Sequence, residues 1–551
     1  MSPRELPVVE FSPLATAAPR VAAAAPADAR LAEFRPETRA LPSFFVWTLG
    51  CQMNRSDSEE MAGRLSASGC AEAPSMEAAD LVVINTCAIR EAAEAKVIGR
   101  QGVLARLKTA NPGMRVVLTG CSVRTANRAG LAKRYPAVDL FLRPDEEPEL
   151  IDRLGLASAQ APVGALAMTA ATTLVKGAEV SDAAQLVRAR ADAIAGGAVL
   201  RGSAISAWLP IIYGCDKTCT YCIVPFSRGP ERSRPFNEIV AEARALAAAG
   251  YREVTLLGQN VNSYGHDLAP EPRFAHIQTR RSVGRAQDRA ARPDLAELIR
   301  AVDAIRTGDG APAIPRLRFV TSHPWDLSDR LIEAMADCPS VCQALHLPVQ
   351  SGSDSMLRRM GRQYTIAHYQ ERLARIREAV PGIALSTDVI TGFCGETDEE
   401  YTDTIRLLET IRYDQVFAAA YSERPGTPAT HLADDVPADV KRSRLVDLLA
   451  IQEGIGFERN SAWLRRTAEV LLDTVVPPRA HSHDDEADEE AAGTSASRNA
   501  FANLPDGVAH LLGRSRENKL VHVAAPPSLI GTSVNVLIEH AGPYALRGRL
   551  A

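Results

Sequence analysis

Between Tyr213 and Gly229 the chain reads YGCDKTCTYCIVPFSRG, which sets Cys215, Cys219 and Cys222 in a Cys-x3-Cys-x2-Cys spacing. Thiolates are soft anionic ligands, and three this close can grip three corners of a cubane iron–sulfur cluster. The next His is His266 and the next Cys is Cys338, too far along the chain to give a local fourth ligand. One iron is then left open, and an open metal position is a place for chemistry, as in catalytic zinc sites. A structural zinc would need four ligands, and the remaining alternative is a set of buried, inert thiols.

Three earlier cysteines share a different pattern. FFVWTLGCQMN, ADLVVINTCAIREAAEAKV and MRVVLTGCSVRT each carry an apolar strand that ends at a cysteine, namely Cys51, Cys87 and Cys121. Continuous apolar strands joined by helical stretches indicate βαβ units and a parallel sheet. Ligands of such sheets bind beyond the carboxyl ends of the strands. Each of the three thiols alone reads equally well as core, but three at equivalent strand ends converge and imply a second three-thiolate cluster. Cys70 follows a helix and falls outside the pattern.

From Ala207 the chain again alternates strand and helix, through REVTLLGQN, LAELIRAVDAI, RLRFVTS, ALHLPVQS, ALSTDVITGF and QVFAAAYS. This predicts a β/α barrel, partial or complete, with its chemistry at the carboxyl edge. Polar residues gather there: Gln259, Asn260, Ser322, His323, Gln350, Ser351, Ser353, Asp388 and Ser422. The VQSGS loop suits a carboxylate or a ribose and equally an ordinary turn. Asp388 can bond a ribose hydroxyl or cap a turn, and His323 reads as a core histidine. Tyr221 can pack on a cluster or simply in the core. Cys338, Cys342 and Cys394 read as buried thiols, since six other cysteines account for two clusters.

The Cys215 triplet resembles the radical S-adenosylmethionine (SAM) superfamily, and TLGCQMN, INTCAIREAAEAKV and TGCSVR ahead of it resemble the methylthiotransferase family. LLGQNVNSYG, from Leu256 to Gly265, is similar to the tRNA-modifying MiaB-type branch. The resemblance implies two [4Fe-4S] clusters, one on Cys215, Cys219 and Cys222 and an auxiliary one on Cys51, Cys87 and Cys121. It further implies that the barrel rim cradles SAM, with Gln259, Asn260, Ser351, Ser353 and Asp388 as candidate contacts. The implied reaction is methylthiolation of carbon 2 of N6-isopentenyladenosine beside the anticodon of tRNA, with a protein electron donor. An unactivated ring C–H has no acidic proton for a positioned base, so general acid–base chemistry is insufficient. The rival readings are methylthiolation of a ribosomal-protein aspartate or of threonylcarbamoyl-adenosine, and a non-catalytic iron–sulfur RNA-binding redox sensor. Cys394 stands where the family has Pro.

Length and composition bound the rest. A chain of 551 residues holds about three or four domains. Hydrophobic residues at 46% and charged ones at 23% are ordinary for a soluble protein. Ten cysteines in so long a chain are no disulfide framework, which predicts a reducing, cytoplasmic setting. No apolar run reaches the roughly 20 residues of a membrane span, and a monomer is expected. The expected order is a disordered extension (1–42), an α/β domain with parallel sheet and auxiliary cluster (43–155), a linker (156–206) and the radical SAM domain (207–455). Within that last domain lies an insertion (266–292) whose stretch from Arg273 to Arg292 holds six Arg and one Asp. The end, 460–551, predicts a small antiparallel β-barrel resembling the RNA-binding TRAM domain, with an acidic disordered insertion at 477–505 that includes solvated His481 and His483. Net charge is −5, so RNA contact must come from local basic groups. Arg514, Arg516, Lys519, Arg547 and Arg549 supply them.

Overall fold

A computed structural model describes residues 42–88, 91–124, 128–156, 199–277, 291–476, 501 and 504–551. The expectations for the N-terminal extension, the linker over 157–198, the Arg-rich run over 278–290 and the acidic run over 477–500 fall outside them.

The first unit is a five-stranded sheet with every pairing parallel. Strand Leu81–Thr86 lies at its centre, between Ser43–Leu49 and Arg115–Thr119, and all six of its residues are buried. The alternation of a strand explains why it can be apolar throughout. Val82 and Ile84 enter a core beneath Val97 and Leu104, while Leu81 and Val83 enter the opposite core with Met61 and Leu65. The helices Gln52–Ala67 and Glu91–Ala110 follow the first and central of these strands. Short strands Ala71–Glu72 and Leu140–Phe141, too brief to give a pattern in the sequence, flank the sheet.

The middle unit contains two parallel three-stranded sheets. Ser206–Pro210, Glu253–Leu257 and Arg316–Phe319 form one, and Ala344–His346, Ala384–Thr391 and Gln415–Ala420 form the other. A parallel bridge between Leu317 and Val341 joins them into a split barrel. Seven described helices, from Phe236–Ala248 to Ala438–Ser461, accompany these strands. Their starts are locally encoded: Asp294 accepts the Glu297 N–H, and Thr397 with Glu400 forms a reciprocal capping box.

The C-terminal unit is a closed five-stranded barrel. Its pairings are antiparallel except one, where Leu520–Ala525 runs parallel to Ala545–Leu550. The all-antiparallel expectation is corrected here by arithmetic: alternating directions cannot close a ring with an odd number of strands. The barrel docks at the amino edge of the split barrel. Arg316 and Arg318, both paired with Glu253, donate to the carbonyls of Arg514 and Ser515 at 2.7 Å each. Arg516 donates to the carbonyls of Pro339 and Val341, and Lys519 Nζ meets Asp414 at 2.7 Å. Arg516 and Lys519, expected to face RNA, are thus spent on docking. No described helix is long and apolar enough to cross a membrane.

Candidate active site

The loop with Cys215, Cys219 and Cys222 leaves the first strand of the split barrel through Gly214, whose φ is +75°. A Cβ there would lie 2.1 Å from the Pro230 carbonyl oxygen, so only glycine permits the turn. The loop is then pinned by the end of the helix Asp354–Arg359: Thr220 donates from its N–H to Met360 O and from its hydroxyl to Arg359 O, both at 2.9 Å. Cys215 and Cys219 are buried and Cys222 half-buried. Burial pushes the Cys222 thiol up to about 12 and raises Cys215 further, because an isolated thiolate is desolvated there. A metal reverses this balance by replacing the proton. Arg362, buried beside Tyr364, donates to Cys219 Sγ at 3.3 Å and to Pro348 O at 2.8 Å.

The three strand-end cysteines meet beside this loop. Cys51 begins the helix Gln52–Ala67 and its thiol donates to Asn54 Oδ1 at 3.6 Å. A Cβ placed on Gly50 would lie 2.8 Å from Cys87 Cβ and 2.9 Å from Asn54 Nδ2, which sets Cys87 against the same turn. Gly120, with φ +93° and no room for a Cβ beside Thr86 O at 2.2 Å, delivers Cys121. Arg228, from the segment after Cys222, donates to Cys121 Sγ at 3.2 Å and to Asn54 Oδ1 at 3.1 Å. Ile223 packs on Cys121 and Ala88. The two thiol sets are therefore neighbours across a single layer of side chains.

By donor chemistry, three soft thiols at either place suit an iron–sulfur centre. Around one ion with bonds near 2.3 Å, tetrahedral thiolates would sit about 3.8 Å apart. Among the described residues the one group of three ligating side chains with all ligand atoms within 4.8 Å is Asp216, Glu231 and His266. Neither cysteine triplet is drawn together that tightly. Cys70, Cys338, Cys342 and Cys394 are buried elsewhere, with Cys70 and Cys338 in apolar clusters and Cys394 packed near Phe393.

The barrel rim separates the candidate SAM contacts. Among the described residues, both amide atoms of Gln259 are buried without a partner, and so are Asn262 Oδ1 and Ser322 Oγ on the adjoining loops. Such orphaned atoms suit a polar ligand. Asn262 was not anticipated, although it sits within LLGQNVNSYG. Asn260 departs from expectation: its Nδ2 donates to Ser263 and Asp326, and its Oδ1 accepts the His323 N–H. Ser351 and Ser353 depart likewise. Ser351 Oγ pairs with Thr404 and accepts the Ser353 N–H, while Ser353 Oγ pairs with Ser355, so both hold a turn against a helix. Asp388 is partly exposed and lies 3.4 Å from His346 Nε2. His323 is buried edge-on to Tyr364 and accepts the Trp325 N–H, and Tyr221 stands edge-on to Phe393.

The comparisons agree with this architecture. The radical SAM superfamily model matches residues 209–408, and that of the uncharacterized protein family UPF0004 matches residues 43–143. A split parallel barrel preceded by that sheet defines a radical SAM enzyme, a class that works with a [4Fe-4S] cluster and SAM. Relatives called tRNA-2-methylthio-N(6)-dimethylallyladenosine synthase extend over nearly the whole chain. The one from Acetivibrio thermocellus is 38% identical over 91% of this chain and 90% of its own length. The one from Roseiflexus sp. is 38% identical over 96% and 93%. The chain belongs to the MiaB-type radical SAM methylthiotransferase family.

Proposed function

We propose that this chain transfers a methylthio group to carbon 2 of N6-isopentenyladenosine beside the anticodon of tRNA. The observation that carries the reading is the adjacency of two three-thiol sites, bridged by Arg228 and Ile223. Cys215, Cys219 and Cys222 hold the radical SAM cluster, and Cys51, Cys87 and Cys121 hold the auxiliary one. When bound, the clusters and SAM supply the radical and the sulfur, which the protein alone cannot. The chain's own part is to orient and to exclude water. Gln259, Asn262 and Ser322 offer polar atoms to SAM, with Asp388 as a further contact. Asn260, Ser351 and Ser353 shape the loops behind them.

The names of the relatives and the segment Leu256 to Gly265 support the choice of substrate. The target base must leave its stack to approach the barrel mouth. Arg547 and Arg549, together with the rest of the C-terminal barrel, supply phosphate contacts, and a protein donor supplies the electron. Nucleoside mass spectrometry of tRNA from a deletion strain tests the assignment. Accumulated N6-isopentenyladenosine lacking its 2-methylthio group is expected. Unchanged tRNA with an unmodified ribosomal-protein aspartate would move the function to that rival, and loss of methylthiolated threonylcarbamoyl-adenosine would move it to the other.

A further inference from the structure

Arg228 follows the short helix Val224–Ser227 that continues from Cys222, so it belongs to the radical SAM loop. Its side chain does not stay there. It enters the N-terminal sheet, where Nε donates to Cys121 Sγ at 3.2 Å. Nη2 donates to Asn54 Oδ1 at 3.1 Å and to Asp57 Oδ2 at 2.6 Å. The Arg228 and Asp57 side chains are only 4% and 6% exposed. Asn54 Oδ1 also accepts the Cys51 thiol, so one guanidinium touches one sulfur directly and a second through one amide. Only arginine offers a rigid fork of donors that reaches thiol, amide and carboxylate together; lysine is a point charge.

Two consequences follow from ordinary electrostatics. A cation and an N–H aimed at a ligand sulfur favour the more negative, reduced state of any cluster held there, and so raise its potential. A fork anchored to the SAM loop at one end and to Cys121 at the other also fixes the spacing of the two sites. Displacement by about 1 Å can cost roughly a hundredfold in rate. We propose that Arg228 is the positioning residue of methylthio transfer: it locks the auxiliary site against the radical SAM loop and raises the auxiliary cluster's reduction potential. Asp57 opposes the second effect, because its carboxylate offsets the charge that Cys121 feels.

The proposal rests on the auxiliary-cluster reading, so the test separates the two. In the full chain carrying Cys215→Ala, Cys219→Ala and Cys222→Ala, the remaining cluster is titrated electrochemically and followed by electron paramagnetic resonance. Absence of any iron–sulfur signal would overturn the auxiliary-cluster reading itself, and with it this inference. With the signal present, Arg228→Gln should move the midpoint negative, Arg228→Lys should move it less, and Asp57→Asn should move it positive. In the chain with all six cysteines, Arg228→Gln should lower methylthio product per 5′-deoxyadenosine by at least about tenfold, with partial recovery in Arg228→Lys. Should Arg228→Gln fail to fold, Arg228→Lys and Asp57→Asn decide, since they must shift in opposite directions. Midpoints that stay put or move together, or an unchanged product ratio, overturn the proposal.

Discussion

The two thiol sites are built by opposite strategies. Cys215, Cys219 and Cys222 lie on one loop whose shape is imposed from outside, by Arg359 and Met360 at the end of the helix Asp354–Arg359. Cys51, Cys87 and Cys121 come from three neighbouring parallel strands, and the sheet itself sets their separation. Each site has one buried arginine on one sulfur, but the counter-charges differ. Arg228 has Asp57 as well as Cys121. Arg362 bonds Tyr364 Oη, Pro348 O and Cys219 Sγ, and among the described residues no carboxylate pairs with it. The loop site thus lacks a carboxylate counter-charge of its own, whereas the sheet both spaces its thiols and supplies Asp57 to its arginine.

The largest effect comes from removing either set of thiols. Cys215→Ala, Cys219→Ala and Cys222→Ala together should abolish 5′-deoxyadenosine formation while about half the iron stays bound, because binding and local folding are coupled site by site. The matching triple change at Cys51, Cys87 and Cys121 should keep SAM cleavage and lose methylthiolation. Loss of all iron from either variant would break the picture of two independent sites.

Glycine tests the difference in strategy. Gly214→Ala and Gly120→Ala both place a side chain on left-handed backbone that contacts a carbonyl at 2.1 and 2.2 Å. Strain of about 1–3 kcal/mol is expected at each, before the clash is counted. In the loop it should remove the radical SAM cluster, while the sheet, held by six buried residues on its central strand, should keep its cluster with lower occupancy. Iron and sulfide analysis of both variants, each in a chain with the other triplet replaced, reads the result. Equal losses would make the two sites equivalent.

The arginines should part in the same way. In the metal-free protein, removing Arg362 relieves a buried cation without a carboxylate partner, so Arg362→Gln should cost little or even stabilise. In the loaded protein the same change should cost about 3–5 kcal/mol, the penalty for breaking a buried charged contact. Arg228→Gln strands Asp57 in both states and should destabilise both. Local hydrogen exchange of the loop and of the helix Gln52–Ala67, with and without clusters, measures this; an Arg362 penalty independent of loading would refute it.

What could be read in the sequence follows from distance along the chain. The loop triplet is a local spacing, and the strand-end triplet is a local pattern repeated three times. Neither arginine had such a signal, since Arg228 meets Cys121 across 107 residues and Arg362 meets Cys219 across 143. Asn260, Ser351 and Ser353 were legible as rim residues, yet whether a rim hydroxyl or amide faces a ligand or its own neighbours is decided by tertiary packing. The strand Ala545–Leu550, ALRGRL, was hidden by its arginines and Gly548, where a Cβ would lie 2.1 Å from Leu537 O. It looks like a basic tail, although it closes the barrel.

The smallest effect concerns two buried groups, one in each unit, whose neutral forms are favoured by burial. Glu147, which accepts the Thr119 hydroxyl at 2.6 Å, has its pKa raised well above the usual carboxylate range, first by burial and then by Asp57. His323 has its pKa lowered well below 6.5, first by burial and then by Arg362 and Lys217. The signs are opposite. A raised carboxyl gives stability that is full below its unfolded pKa, about 4.5, and is lost as pH rises through the folded value. A depressed imidazole gives stability that is full above about 6.5 and is lost as pH falls through the folded value. As pH rises from about 5 towards 6.5 the sheet should therefore weaken as the split barrel strengthens, each by no more than about 1.4 kcal/mol per pH unit. Hydrogen exchange, corrected for its intrinsic pH dependence, should show protection falling in Leu81–Thr86 and rising in Ala384–Thr391. Glu147→Gln should flatten the first trend and leave the second, while His323→Phe should do the reverse. A common slope in both units, or a slope in the sheet that survives Glu147→Gln, would show that neither group governs the acid response of its own site.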